Sequence, residues 1–191
     1  MITGEANMNT KHVFLTGEKQ VGKSTLVRRL TALSGGRVSG FKTVRAGGVL
    51  PGRFSVHMLR AGAEDAPSEE NLLFVCRSES PEKDRRFDAL GCALLADTAG
   101  AALIVMDELG PNERNAKAFQ RAVLDTLDGD TPVLGVLQKA DSAFLRAIAG
   151  REDVRIFEVT PRNRETLYEV LAEEYEALKG FAVQDEDGGK A

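Results

Sequence analysis

Eight consecutive residues, Gly17-Glu18-Lys19-Gln20-Val21-Gly22-Lys23-Ser24, match the pattern G-x-x-x-x-G-K-[ST] at every fixed position. The pattern suits a phosphate chain. Glycines let the backbone curl so that successive N–H groups point inward as an anion nest, and a helix that follows adds the positive end of its dipole. Lys23 is then placed to reach the β- and γ-phosphates, Ser24 to give its hydroxyl to Mg²⁺, and Thr25 to make a further phosphate contact. The plain alternative is a glycine turn followed by a surface lysine, and the full octet between a strand and a helix outweighs it.

Asp107 and Glu108 close the apolar run Leu103-Ile104-Val105-Met106. Downstream of a phosphate loop, the first carboxylate at such a strand end holds Mg²⁺, often through water, and the second can act as general base on an attacking water. Solvated acids at a strand terminus are the ordinary reading of the same pair. Asp107 to Gly110 also reads as D-x-x-G, and Gln138-Lys139-Ala140-Asp141 approximates a guanine-reading N-K-x-D with Asp141 facing the base. Gln in place of Asn counts against that reading. So does the short stretch from Asp107 to Gln138, and Asp141 is placed to cap the helix that follows.

The elements that must position these groups follow from periodicity. His12 to Thr16 reads as a buried strand leading into the loop, and Leu26, Val27, Leu30 and Leu33 give the next helix its apolar face, stopped by Ser34-Gly35-Gly36. Ser39 to Leu59, punctuated by Gly47-Gly48 and Pro51-Gly52, predicts a β-meander or hairpin. Ala61 to Glu70 predicts an exposed loop and Leu72 to Cys76 a strand. Apolar strands at Ala101–Met106, Pro132–Leu137 and Val154–Val159 then alternate with helices marked by Phe87/Leu90/Leu94/Leu95, Ala116/Phe119/Val123/Leu127, Asp141–Ala149 and Leu167/Val170/Leu171/Leu178. Continuous apolar strands between helices predict an α/β fold, a mostly parallel sheet flanked by helices, with the hairpin inserted after the first helix. Residues 1–183 form one expected domain, and the acidic, Gly-rich 184–191 a disordered tail.

With 191 residues, 42% of them hydrophobic, the chain can bury a sizeable core, and a net charge of −4 argues against a general nucleic-acid binder. No apolar run approaches the ~20 residues of a membrane helix, and Met1 to Lys11 lack a signal-peptide stretch, so a cytoplasmic protein is expected. Cys76 and Cys92 have no metal-ligand spacing and read as reduced, buried thiols. His57 reads as packing, and Arg85 and Arg86 as solvated helix charges.

The order of motifs resembles that of the small P-loop nucleoside-triphosphatases, the family of the cancer-related nucleoside-triphosphatase and its thermophilic counterparts. Four segments carry the likeness: the loop from Gly17 to Thr25; Gly40-Phe41-Lys42-Thr43 with Arg45, similar to the family's G-F-x-T; Asp107-Glu108-Leu109-Gly110 with Glu113 and Phe119, similar to its D-E-I-G-x-M-E; and Val159-Thr160 with Asn163-Arg164, similar to its closing T-x-x-N-R. They run from residue 13 to about 171. The family usually has Gly where Gln20 stands. Thr160-Pro161 also reads as a helix cap with Pro at the first helical position, and Asn163 and Arg164 as its solvated first turn. An arginine there opposes the helix dipole, which favours a nucleotide contact.

The resemblance implies Mg²⁺-dependent hydrolysis of nucleoside triphosphates, ATP and GTP among them, to diphosphate and phosphate, with loose base specificity. Glu18, Lys19, Gln20 and Val21 contact nucleotide through the loop, Lys23 and Glu108 are the catalytic pair, and Ser24 and Asp107 hold the metal. A kinase acting on a nucleotide or small molecule, with Glu108 activating an acceptor hydroxyl, is the first alternative. A non-catalytic, nucleotide-gated switch is the second.

Overall fold

In the computed structural model, residues 10–184 are described apart from Pro51 and Glu79, with backbone only at 48–50 and 175–184. Seven strands form one sheet: β1 (His12–Thr16), β2 (Val38–Leu50), β3 (Arg53–Arg60), β4 (Leu72–Val75), β5 (Leu103–Leu109), β6 (Val133–Leu137) and β7 (Val154–Glu158). Their order is β4-β3-β2-β5-β6-β1-β7. From β2 through β7 every neighbouring pair is parallel, and β3 and β4 are added antiparallel at one edge. The hairpin expected after the first helix is therefore part of the sheet and extends it by β2–β3.

Helices α1 (Lys23–Thr31) and α5 (Arg164–Gln184) cover one face, and α2 (Lys83–Ala96), α3 (Lys117–Leu127) and α4 (Ala143–Ala149) the other. Each connection between parallel strands runs through a helix, as the apolar runs required. Phe41, Phe87 and Phe119 anchor the α2–α3 layer, Phe119 standing edge-on to Phe41 at 5.4 Å and stacked on Phe87 at 5.9 Å. Leu15, Leu26, Leu30, Leu167 and Leu171 build the opposite layer. Among the described residues no helix is long and apolar enough to cross a membrane.

Several expectations need correction. Ser142, not Asp141, caps α4: its hydroxyl accepts from the Leu145 N–H at 3.1 Å, and Asp141 pairs with Arg146 on the surface. Cys76 and Cys92 are free but half-buried rather than buried. Ala61, placed in an exposed loop, is buried against the α1–α5 layer. The tail expected at 184–191 lies outside the described residues except for Gln184, the last residue of α5. His57 does serve packing: fully buried, its Nδ1 faces Asn71 Oδ1 at 2.9 Å and its Nε2 the Ser55 hydroxyl at 2.7 Å.

His12 has a structural role with a pH signature. Its Nδ1 accepts from the Val133 N–H at 3.1 Å, so Nε2 carries the proton that is donated to the Leu127 carbonyl at 3.0 Å. The ring is fully buried, and burial pulls its pKa below 6.5 despite Asp153 nearby. An unfolded chain then binds a proton that the folded one refuses, so this contribution is complete above the unfolded value and is lost as pH falls from there through the lowered value of the folded ring. The His12 ring-proton NMR resonances are expected to titrate below 6.5. A titration midpoint above that value would refute the assignment.

Candidate active site

The loop between β1 and α1 follows from local chemistry. Gly17 has φ 142°, and a Cβ there would stand 2.3 Å from the Val159 carbonyl oxygen, so only glycine lets the loop pass under the start of the last crossover. Gly22, at φ 103°, is the N-cap of α1. No side chain caps α1, which leaves its first-turn N–H groups directed at the loop. Gln20 occupies the left-handed region at φ 64°, where the resembling family carries glycine, at a cost of about 1 kcal/mol.

Lys23 is 8% exposed and folds back over this loop, its ammonium donating to the Gly17 carbonyl at 2.9 Å and to Glu18 at 2.7 Å. Ser24 points to the sheet, where its hydroxyl donates to Asp107 Oδ1 at 3.2 Å. Asp107 and Glu108 do not end their strand as the sequence suggested. β5 runs on to Leu109, and Met106–Leu109 on β5 faces only Gly135–Leu137 on β6. One extra residue on β5 makes a bulge, and a bulge re-aims side chains that strict alternation would send to opposite faces. Burial, and then Glu108 beside it, push the Asp107 carboxyl up to about 6, against the Ser24 hydroxyl and the Lys23 charge.

β6 lies between the loop strand β1 and the acid strand β5, and so brings Gln138 to the acids. The Gln138 amide donates to Glu108 Oε1, and the Glu108 N–H donates to Thr43 Oγ1 at 3.3 Å. Lys139 pairs with Glu158 at 2.6 Å and Glu18 at 3.1 Å. Gln138, Lys139 and Asp141 are thus all engaged by protein partners, and the guanine-reading pattern gains no support. Glu113 closes the turn after β5, accepting from the Gly110 N–H at 3.0 Å, and burial pushes its carboxyl up to about 7.

These groups line one cleft of about 810 Å³. Gly22, Lys23, Ser24 and Thr25 form one wall, Asp107 and Glu108 the floor, and Arg45 and Arg77 stand among the facing residues. Asn163 is used locally: its Oδ1 accepts from the Thr160 N–H at 2.8 Å and its Nδ2 donates to the Glu158 carbonyl at 2.8 Å. Arg164 lies alongside Gly22, its side chain within 4 Å of where a Cβ would stand. Sequence reasoning missed Gln138 and Thr43 as partners of Glu108, and Arg77 as a cleft residue; only strand order could have paired Gln138 with the acids.

Ser24 and Asp107 supply two hard oxygen donors at 3.2 Å, and among the described residues no cluster of three His, Cys, Asp or Glu could cage a metal. That donor set fits a hard divalent cation that keeps most of its waters and takes phosphate oxygens as further ligands.

Known proteins resemble the chain over most of its length. A family model described as NTPase matches residues 12–172. Nucleoside-triphosphatase THEP1 of Thermofilum pendens is 35% identical over 185 residues, covering 90% of this chain and 98% of that protein. The human cancer-related nucleoside-triphosphatase is 34% identical over 180 residues, covering 82% and 92%. The solution structure of a human cancer-related nucleoside triphosphatase superposes with a TM-score of 0.59 at 28% identity, over 90% of this chain and 98% of that one. The crystal structure of THEP1 from Aquifex aeolicus shares the fold, with a TM-score of 0.69 at 21% identity over 86% and 99%.

Proposed function

The chain belongs to this nucleoside-triphosphatase family, and on that premise we propose that its cleft hydrolyses nucleoside triphosphates to diphosphate and phosphate, with Mg²⁺ and little base preference. The observation that carries the reading is convergence. Lys23, Ser24, Asp107 and Glu108 come from two distant segments and meet in one cleft, with Ser24 3.2 Å from Asp107.

In this reading the loop N–H groups and Lys23 hold the β- and γ-phosphates and neutralise charge as it shifts towards the leaving oxygen. Ser24 and Asp107 would hold the metal, which when bound supplies charge neutralisation between the phosphates. Glu108 takes the proton of the attacking water. Gln138 and Thr43 fix Glu108 so that its carboxylate faces the cleft. Glu18, Lys19, Gln20, Val21 and Thr25 line the phosphate path through the loop, with Arg164 beside Gly22 at its far side.

Phosphate release with ATP, GTP, CTP and UTP, in Mg²⁺ and in EDTA, tests this directly. All four are expected to be hydrolysed at comparable rates and only with the metal. No phosphate release from any of them would overturn it. Asp141 gives a sharper check on base choice. Its carboxylate is exposed and paired with Arg146, so Asp141→Asn is expected to leave the ATP-to-GTP rate ratio unchanged and to alter stability by less than about 0.5 kcal/mol. A selective loss of GTP turnover would restore the guanine-reading alternative.

A further inference from the structure

The cleft has a second lobe of about 480 Å³ on the α1 side of the sheet, reached past Ser24, Thr43 and Asp107. It exists because helix cover is uneven. α1 packs on β5 and β6, while the helix packed on β2, β3 and β4 is α2, from the opposite face. The α1-side surface of β2 is left to the hollow between α1 and the turn at 61–63.

The lining has one consistent chemistry. Val27, Val44 and Val105 make an apolar floor, and Arg28 and Lys42 stand on the walls. The exposed Arg28 side chain has no ion pair or hydrogen bond among the described residues. The Lys42 ammonium donates to one neutral group, the Ala63 carbonyl, at 2.7 Å. The lining carboxylate, Asp107, is already engaged by Ser24. Two uncompensated cations over an apolar floor, in a chain of net charge −4, call for an organic anion.

We propose that this lobe is a second small-molecule site, which takes a phosphate monoester with its phosphate on Arg28 and Lys42 and its apolar body on the valine floor, beside the phosphate loop. The site rests on the nucleotide-binding reading above only for what occupies the neighbouring loop. Phosphate must be gripped by the two cations, and the body must be small enough to pass Thr43 and lie against Val44.

The test uses the full chain saturated with ADP and Mg²⁺, with phenyl phosphate as probe and inorganic phosphate and phenol as its two halves. In ¹H–¹⁵N NMR spectra, phenyl phosphate is expected to move the Thr31, Val44 and Ala63 amides while Gly17 and Gly22 stay at their ADP-bound positions. It should bind at least about tenfold tighter than either half, because it engages cations and floor together. Arg28→Gln and Lys42→Gln should each weaken it about tenfold with ADP affinity within about twofold. Four results would overturn the proposal: displacement of ADP by the probe, no shift at Val44 and Ala63, indifference to both variants, or an equal loss of ADP binding in them. The last would make the lobe part of the nucleotide's own site. Failure to bind ADP at all would strike the phosphate-loop reading instead, and the same titration on the protein without ADP would still decide the lobe.

Discussion

Lys23→Ala is expected to abolish measurable turnover and to weaken triphosphate binding on the order of 10²–10³-fold, because the ammonium makes charge-assisted bonds worth about 1.5–3 kcal/mol each to more than one phosphate oxygen. The site magnifies the loss. Lys23 is 8% exposed, so its charge works in a partly dehydrated pocket. The fold should survive. Among the described residues the side chain donates only to the Gly17 and Glu18 carbonyls, both at the mouth of the loop, and the loop's curvature comes from Gly17 and Gly22. Fluorescence titration with a labelled triphosphate, phosphate release and a thermal melt separate the three claims. Wild-type hydrolysis by a folded Lys23→Ala protein would end the phosphate-loop assignment.

What the sequence disclosed, and what it hid, follows from the range of the interactions. The octet from Gly17 to Ser24 is readable because a phosphate loop is a local device, its glycines, lysine and hydroxyl acting within one turn of chain. The parallel sheet is readable because strands buried on both faces lose their alternation, as in Val133–Leu137, where all five residues are buried. Strand order is not local. Nothing in Gln138 itself says that β6 lies between β1 and β5, and so the residue looked like a flawed Asn of a guanine motif when its amide in fact holds Glu108. The bulge at Asp107 and Glu108 was hidden for the same reason: it is a mismatch between two strands, and either strand alone reads as regular. The cap at Ser142 was missed by one residue because Asp141 and Ser142 are both good capping types, and only geometry chooses between them.

The adjacent acids are expected to fail differently, and that difference decides between water and an organic acceptor as the attacking group. Glu108→Gln should keep triphosphate and Mg²⁺ affinity while lowering turnover by about 10²–10⁴-fold, the usual worth of a general base. Gln preserves the shape and can accept the Gln138 N–H as Glu108 does, but it cannot take a proton at neutral pH. Asp107→Asn should instead raise the Mg²⁺ concentration needed for half-maximal rate, with partial rescue at high Mg²⁺, since Asp107 and Ser24 are the paired oxygen donors. Steady-state phosphate release across a Mg²⁺ titration, together with the amount of unhydrolysed triphosphate retained on each variant, resolves the two. Retention on Glu108→Gln is the expected mark of hydrolysis. Undiminished water attack in that variant would remove Glu108 as the base, and transfer surviving only to an added hydroxyl compound would convert the reading to a kinase, with the cleft beyond Glu108 as its acceptor side.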